Sequence, residues 1–96
     1  MEAVITVHVR YLGILAAYAN GKQQDVCLPE GTTVEQLFLR LAETGSESLR
    51  SILLQKGKPN SLVRIVRNQT QVEGQAFQML VADGDEILIL TSIAGG

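Results

Sequence analysis

The sequence has one cysteine, Cys27, and one histidine, His8, so it can form no internal disulfide and no thiolate cluster for a metal. Those two residues allow a single nucleophilic pairing, His8 with Cys27, and no third group that would orient the pair is evident. Basic residues are also few. Eight Lys and Arg stand against ten Asp and Glu, for a net charge of −2, and they are scattered, which argues against nucleic acid as a partner. No apolar run approaches the roughly 20 residues of a membrane-spanning helix. Met1-Glu2 opens acidic, and the first apolar stretch is broken by His8 and Arg10, so no secretory signal is read. A cytoplasmic protein is the simplest expectation. No Gly-x-x-x-x-Gly-Lys occurs, which leaves the chain without a phosphate loop of its own.

What is present is a chain of 96 residues with 46% hydrophobic and 19% charged residues, suited to one globular core. Val4 to Tyr11 alternates, with Ile5, Val7, Val9 and Tyr11 on one face, and predicts a half-buried strand. Leu12 to Gly21 lacks a helix start signal and reads as a wide loop closing on Asn20-Gly21. Gln23 to Leu28 then resumes as a strand with Val26 and Leu28 inward and Cys27 outward. After Pro29-Glu30-Gly31, the spacing Thr32-x-x-Glu35 predicts a capping box with Thr32 as cap. Val34, Leu37, Phe38 and Leu41 follow as one apolar helical stripe, and Gly45 supplies a left-handed stop.

Leu49, Ile52 and Leu53 suggest a short second helix before a loop from Lys56 to Ser61. Leu62 to Val66 predicts a third strand, Asn68-Gln69-Thr70 a turn, and Gln71 to Glu73 a brief return. Gln75 to Ala82 is irregular, with Phe77, Leu80 and Met79 assigned to the core. Asp83-Gly84 turns into a last strand from Asp85 to Leu90. This order predicts an α+β fold, a mixed sheet of about four to five strands packed on one main helix. Ile87 and Ile89 alternate with Leu88 and Leu90, so both faces of the last strand are apolar and the strand belongs in the middle of the sheet. Leu12, Leu88 and Leu90 then share the face away from the helix. They are either covered by the segment from Gln75 to Ala82 or open to a partner, and the second is favoured because they adjoin the tail.

The chain closes on Thr91-Ser92-Ile93-Ala94-Gly95-Gly96. Residues 1–90 are therefore taken as the folded domain and 91–96 as a tail. Six extended residues reach roughly 20 Å, and glycines without side chains pass through channels too narrow for other residues. A frayed terminus is the plain alternative.

Leu28-Pro29-Glu30-Gly31-Thr32-Thr33-Val34 leading into the helix, Asn68-Gln69-Thr70, and Asp83-Gly84-Asp85-Glu86 before Gly95-Gly96 together give the chain a resemblance to the ubiquitin-like sulfur carriers. These include the small subunit of molybdopterin synthase and the thiamine-pathway carrier. The resemblance implies a β-grasp (ubiquitin-like) fold. It also implies a carrier rather than an enzyme, whose Gly96 carboxylate is adenylated by a partner using MgATP and then converted to a thiocarboxylate. No cofactor is expected on the chain itself. The implied partners are an adenylating activating enzyme, a sulfur donor protein, and a larger synthase subunit or other sulfur acceptor, meeting Leu12, Leu88, Leu90, Ile93, Ala94 and Gly95. Leu90 and Thr91-Ser92 stand where the family often has an aromatic and a Pro-Pro pair. Ile93-Ala94-Gly95-Gly96 resembles thiamine-type tails, while Arg10-Tyr11 and Asn68-Gln69-Thr70 resemble the molybdopterin type, which is favoured. A ubiquitin-like modifier joined to lysines, a plain interaction domain, and an enzyme using His8 or Cys27 are the other readings.

Overall fold

A computed structural model describes residues 3–19 and 23–91. The alternation in β1 (Val4–Tyr11) builds the centre of the molecule, because Ile5, Val7, Val9 and Tyr11 are all buried. Full burial of such side chains is worth about 1.5–3 kcal/mol each. β2 (Gln23–Pro29) pairs antiparallel with β1 and turns Val26 and Leu28 to the same core, leaving Cys27 exposed. The last strand, β7 (Glu86–Thr91), begins and ends one residue later than the sequence pattern predicts. It lies parallel to β1 on one side and antiparallel to β5 (Val63–Arg67) on the other. With β6 (Thr70–Gln71) at the far edge, the order is β2-β1-β7-β5-β6, a five-stranded mixed sheet with β7 in the middle as its two apolar faces require.

One face of this sheet is covered by α2 (Val34–Thr44), whose stripe of Val34, Leu37, Phe38 and Leu41 is buried as its spacing predicts. The cap is Thr33, one residue later than expected. Its hydroxyl accepts from the Gln36 N–H at 3.1 Å and the Gln36 side chain accepts from the Thr33 N–H at 2.9 Å. Thr32 instead donates its hydroxyl to the Pro29 carbonyl at 2.7 Å, closing the turn before the helix. Both threonines precede a Glu or Gln by three residues, so spacing alone could not choose between them.

Gly45 also departs from expectation: at φ −81° and ψ 179° it is extended, not left-handed. Crowding explains the glycine, since a Cβ there would lie 2.7 Å from Leu49 Cδ2 and 2.9 Å from the Leu41 carbonyl oxygen. Ser46 caps α3 (Glu47–Leu53) by accepting from the Leu49 N–H, and Leu49 and Leu53 are buried.

Three further segments differ from the sequence reading. Leu12 to Gly21 was expected to be loop, yet Ile14–Tyr18 forms a short helix, α1, which starts at Gly13 with φ 61° and no side-chain cap. Full burial of Leu15 and a hydrogen bond from Ser46 Oγ to the Tyr18 carbonyl at 2.7 Å hold it instead. The expected loop after α3 contains a minimal hairpin, β3 (Leu54–Gln55) and β4 (Lys58–Pro59), turned by Lys56 and Gly57 at positive φ.

Met79 and Leu80, assigned to the core, are exposed at 58% and 57%, whereas Val81 is buried in their place. They follow a 3-10 turn over Gly74–Gln78 that brings Phe77 against the core, as expected. The Val34 N–H bonds to the Met79 carbonyl, and the Val81 N–H to the Thr32 carbonyl. This stretch is therefore tied to the start of α2, on the helical side of the sheet, and does not cover Leu88 or Leu90.

Candidate functional site

The face of the sheet away from α2 carries the residues that alternate with the core. Strand register brings them into rows. Asp25, His8 and Glu86 form one row, and Gln23, Arg10, Leu88 and Val66 the next. Arg64 lies beside Leu90 in the row nearest the end of β7. The Leu12 N–H bonds to the Ile89 carbonyl at 3.0 Å, which continues the β1–β7 pairing and sets Leu12 next to Leu90. The three leucines named from sequence thus meet on one surface: Leu88 and Leu90 are half-buried and Leu12 is 38% exposed. Ile93, Ala94, Gly95 and Gly96, the other proposed contact and carrier residues, lie outside the described residues.

His8 and Cys27 both belong to this face but are not paired. His8 Nδ1 is 2.8 Å from Asp25 Oδ1, while Cys27 Sγ is 3.8 Å from Thr6 Oγ1, its register partner. The hydrogen bond to Asp25 raises the His8 pKa above the ordinary value. Glu86 and Asp83 act in the same sense and desolvation opposes them. Asp25 was not singled out from sequence, because its partner comes from a different strand. A groove over this half of the face is lined by His8, Arg10, Asp25, Asn68, Glu86 and Leu88. Among the described residues, no group of three or more His, Cys, Asp or Glu side chains is placed to hold a metal ion. No described helix is long and apolar enough to cross a membrane.

The start of β7 is fixed by a polar knot. Asp85, 6% exposed, accepts from Arg67 Nε at 2.8 Å, Asn68 Nδ2 at 2.9 Å and the Ala82 N–H at 2.8 Å. Asn68 Oδ1 in turn accepts from the Glu86 N–H at 2.9 Å. Burial pushes the Asp85 pKa up, but the Ala82, Asn68 and Arg67 donors outweigh it and hold it below the usual aspartate value. Asn68 and Gln69 sit at φ 48° and 73°, so the Asn68 side chain compensates a left-handed turn between β5 and β6. The sequence motifs Asn68-Gln69-Thr70 and Asp83-Gly84-Asp85-Glu86 are thus two halves of one structure that sets the register of the central strand.

A mixed sheet with β1 and β7 parallel at its centre, one main helix across one face and the other face left open by the described residues defines the β-grasp, ubiquitin-like class. The ThiS family model matches residues 9–96, and the chain belongs to that family, as its resemblance to the ubiquitin-like sulfur carriers implies. No curated protein matches it in sequence. Among solved structures it is similar to small archaeal modifier protein 1 (SAMP1) from Methanosarcina acetivorans, with 22% identity and a TM-score of 0.79 over 98% of this chain and 99% of that one. It is similar to a putative molybdopterin converting factor, subunit 1, from Pyrococcus furiosus, with 21% identity and a TM-score of 0.75 over 93% and 99%. A chain of the BexX/CysO complex of Amycolatopsis orientalis matches with 24% identity and a TM-score of 0.68 over 94% and 99%. At these identities the likeness establishes the fold.

Proposed function

We propose that this protein carries sulfur on the carboxylate of Gly96 and delivers it to an acceptor enzyme. The reading rests on a family match that runs through Gly96, in a chain whose central strand ends at Thr91, five residues earlier. A terminal carboxylate, with a pKa of about 3.3–3.7, is anionic at neutral pH and a poor acyl electrophile. It therefore needs activation. A partner enzyme with MgATP joins the Gly96 carboxylate to the α-phosphate and releases pyrophosphate. Hydrosulfide supplied by a sulfur donor then attacks the acyl carbon, the C–O bond to the nucleotide breaks, AMP leaves, and loss of the S–H proton to solvent gives the Gly96 thiocarboxylate. On this reading catalysis belongs to partners in the cytoplasm, the chain holds no cofactor, and residues 91–96 are the part inserted into each active site.

The finer reading is the small subunit of molybdopterin synthase. Arg10-Tyr11, Asn68-Gln69-Thr70 and the Pyrococcus furiosus neighbour, named as a molybdopterin converting factor, support it. The SAMP1 neighbour, named as a modifier, favours conjugation to protein lysines as the second reading.

Incubation with a purified adenylating enzyme, MgATP and a sulfur donor is expected to add the mass of one oxygen-to-sulfur exchange, located on the C-terminal peptide. Deletion of Gly96, or addition of one alanine, moves the reacting atom and forfeits the gain from orientation, so neither variant is expected to be sulfurated. Sulfur found on Cys27, or full sulfuration of the extended variant, would overturn the reading. Isopeptide-linked products without thiocarboxylate would favour the modifier.

A further inference from the structure

The two edges of the sheet differ in what they expose. β6 is two residues long, whereas β2 offers seven. The direction of its backbone groups follows from β1, where the Thr6 carbonyl accepts the Gly84 N–H and the His8 N–H bonds to the Asp85 carbonyl, both at 2.8 Å on the β7 side. In an antiparallel pair, the residues opposite Thr6 and His8 then turn their backbone away from β1 as well. Cys27 and Asp25 are those residues, and Gln23 opposite Arg10 keeps the same parity, so the three point N–H and C=O groups out of the sheet. The Glu30 N–H, bonded to the Ala3 carbonyl at 2.9 Å, fixes this parity from the other end of the strand. Among the described residues nothing bonds to these outward backbone groups. Natural edges are guarded by Lys, by Pro or by a bulge. Residues 23–28 have no Lys and no Pro, their one charge is Asp25, and their register with β1 is unbroken.

We infer that β2 pairs antiparallel with β2 of a second copy, about a two-fold axis through Val26. Symmetry and hydrogen bonding leave few registers. An axis between two residues opposes outward residues to inward ones and forms no ladder. An axis through Gln24 overlaps only residues 23–25 of the strand. One through Asp25 sets that carboxylate against its own copy, and like charges directly opposite are destabilising. One through Cys27 sets Asp25 against Pro29, which has no N–H and whose carbonyl already accepts from Thr32. With the axis through Val26 the whole strand overlaps, and Asp25 of each copy exchanges N–H and C=O bonds with Cys27 of the other, with no like charges opposed. The two sheets join into one with both α2 helices on the same side. β7 stands third from the contact, so Leu88, Leu90 and the end that leads to the tail stay uncovered. The pairing does not rest on the carrier reading. A single strand edge covers less than the roughly 1,200–2,000 Å² of a stable interface, so the dimer is weak, with a Kd of about 0.1–1 mM.

Sedimentation of the full chain from about 10 μM to about 1 mM is expected to show a monomer–dimer equilibrium, and the NMR amide signals of Gln23, Asp25 and Cys27 are expected to shift with concentration. Asp25→Pro removes an outward N–H and no bond to β1, so a folded chain that pairs at least about 10-fold more weakly is expected. Asp25→Ala loses the bond to His8 but keeps the N–H, and should still pair. The register has its own readout. The Cα atoms of Val26 and its copy fall about 4.5 Å apart, within the range of a disulfide, while those of Cys27 and its copy fall roughly 7–8 Å apart. Under oxidation, Val26→Cys with Cys27→Ser is therefore expected to form a covalent dimer far faster than the wild type. A monomer throughout the concentration range overturns the inference, as do shifts confined to Leu88 and Leu90, unchanged pairing in a folded Asp25→Pro chain, or faster cross-linking through Cys27. If Asp25→Pro does not fold, the amide shifts and the cross-link decide.

Discussion

His8 and Asp85 are two titrating residues whose environments act in opposite directions. Because His8 is the only histidine, its ring can be followed alone by NMR. Its midpoint is expected above the usual value of about 6.5, and Asp25→Asn should bring it back down. An unchanged midpoint in that variant would mean that the hydrogen bond is not the cause. The stabilisation that accompanies the raised value is complete below the unfolded pKa and disappears as pH rises through the folded one.

For Asp85 the sign is reversed. Its contribution is present above the unfolded value of about 3.9 and is lost as pH falls through the depressed folded value. Asp85→Asn should therefore flatten the acid limb of a plot of unfolding free energy against pH. Arg67→Ala, which removes one of the donors to Asp85, is expected to cost about 1.5–3 kcal/mol at neutral pH by denaturant titration. Identical acid limbs for wild type and Asp85→Asn would show that the knot does not hold the Asp85 carboxyl in its charged form.

Among the elements, α2 offers the sharpest comparison. Thr33→Ala removes the cap and is expected to cost about 0.5–2 kcal/mol, whereas Thr32→Ala, which loses only the bond to Pro29, should cost less. The reverse order would restore Thr32 as the cap. Gly45→Ala is expected to destabilise by about 1–3 kcal/mol through overpacking against Leu49 and Leu41, although φ there suits any residue. β1, β2 and α2 were legible in sequence because their apolar spacing is itself the cause of their burial. α1 was not, since it depends on Leu15 and on Ser46, which is remote in sequence. β3 and β4 are too short to show a period. Met79 and Leu80 misled because the path of the backbone beside α2, not their hydrophobicity, decides where they point. The shared surface of Leu12, Leu88 and Leu90 followed from parity alone. The pairing of Asp25 with His8 did not, since it depends on which strand lies next to β1.

At the scale of the molecule, the helix-covered face holds the core, and the other face carries Leu12, Leu88 and Leu90, which the proposed function assigns to docking. Leu90→Asp should separate the two. Retained circular dichroism and unfolding midpoint with weakened binding to the adenylating enzyme are expected, because the carboxylate, beside Arg64 on β5, replaces apolar contact area with a hydrated charge. Unchanged affinity would remove Leu90 from the surface. The strand order carries a further consequence. Among the described residues β7 is the last strand and lies in the middle of the sheet, so on a ribosome β1 and β5 are made first and have no central partner until residues 86–91 emerge. A nascent chain shorter than that shows two bare strand edges, the form most open to aggregation, and a truncation before Glu86 should be insoluble. Closure of the sheet then waits for residues 86–91, so on the proposed carrier reading an activating enzyme meets no closed sheet face on a chain that stops short of them.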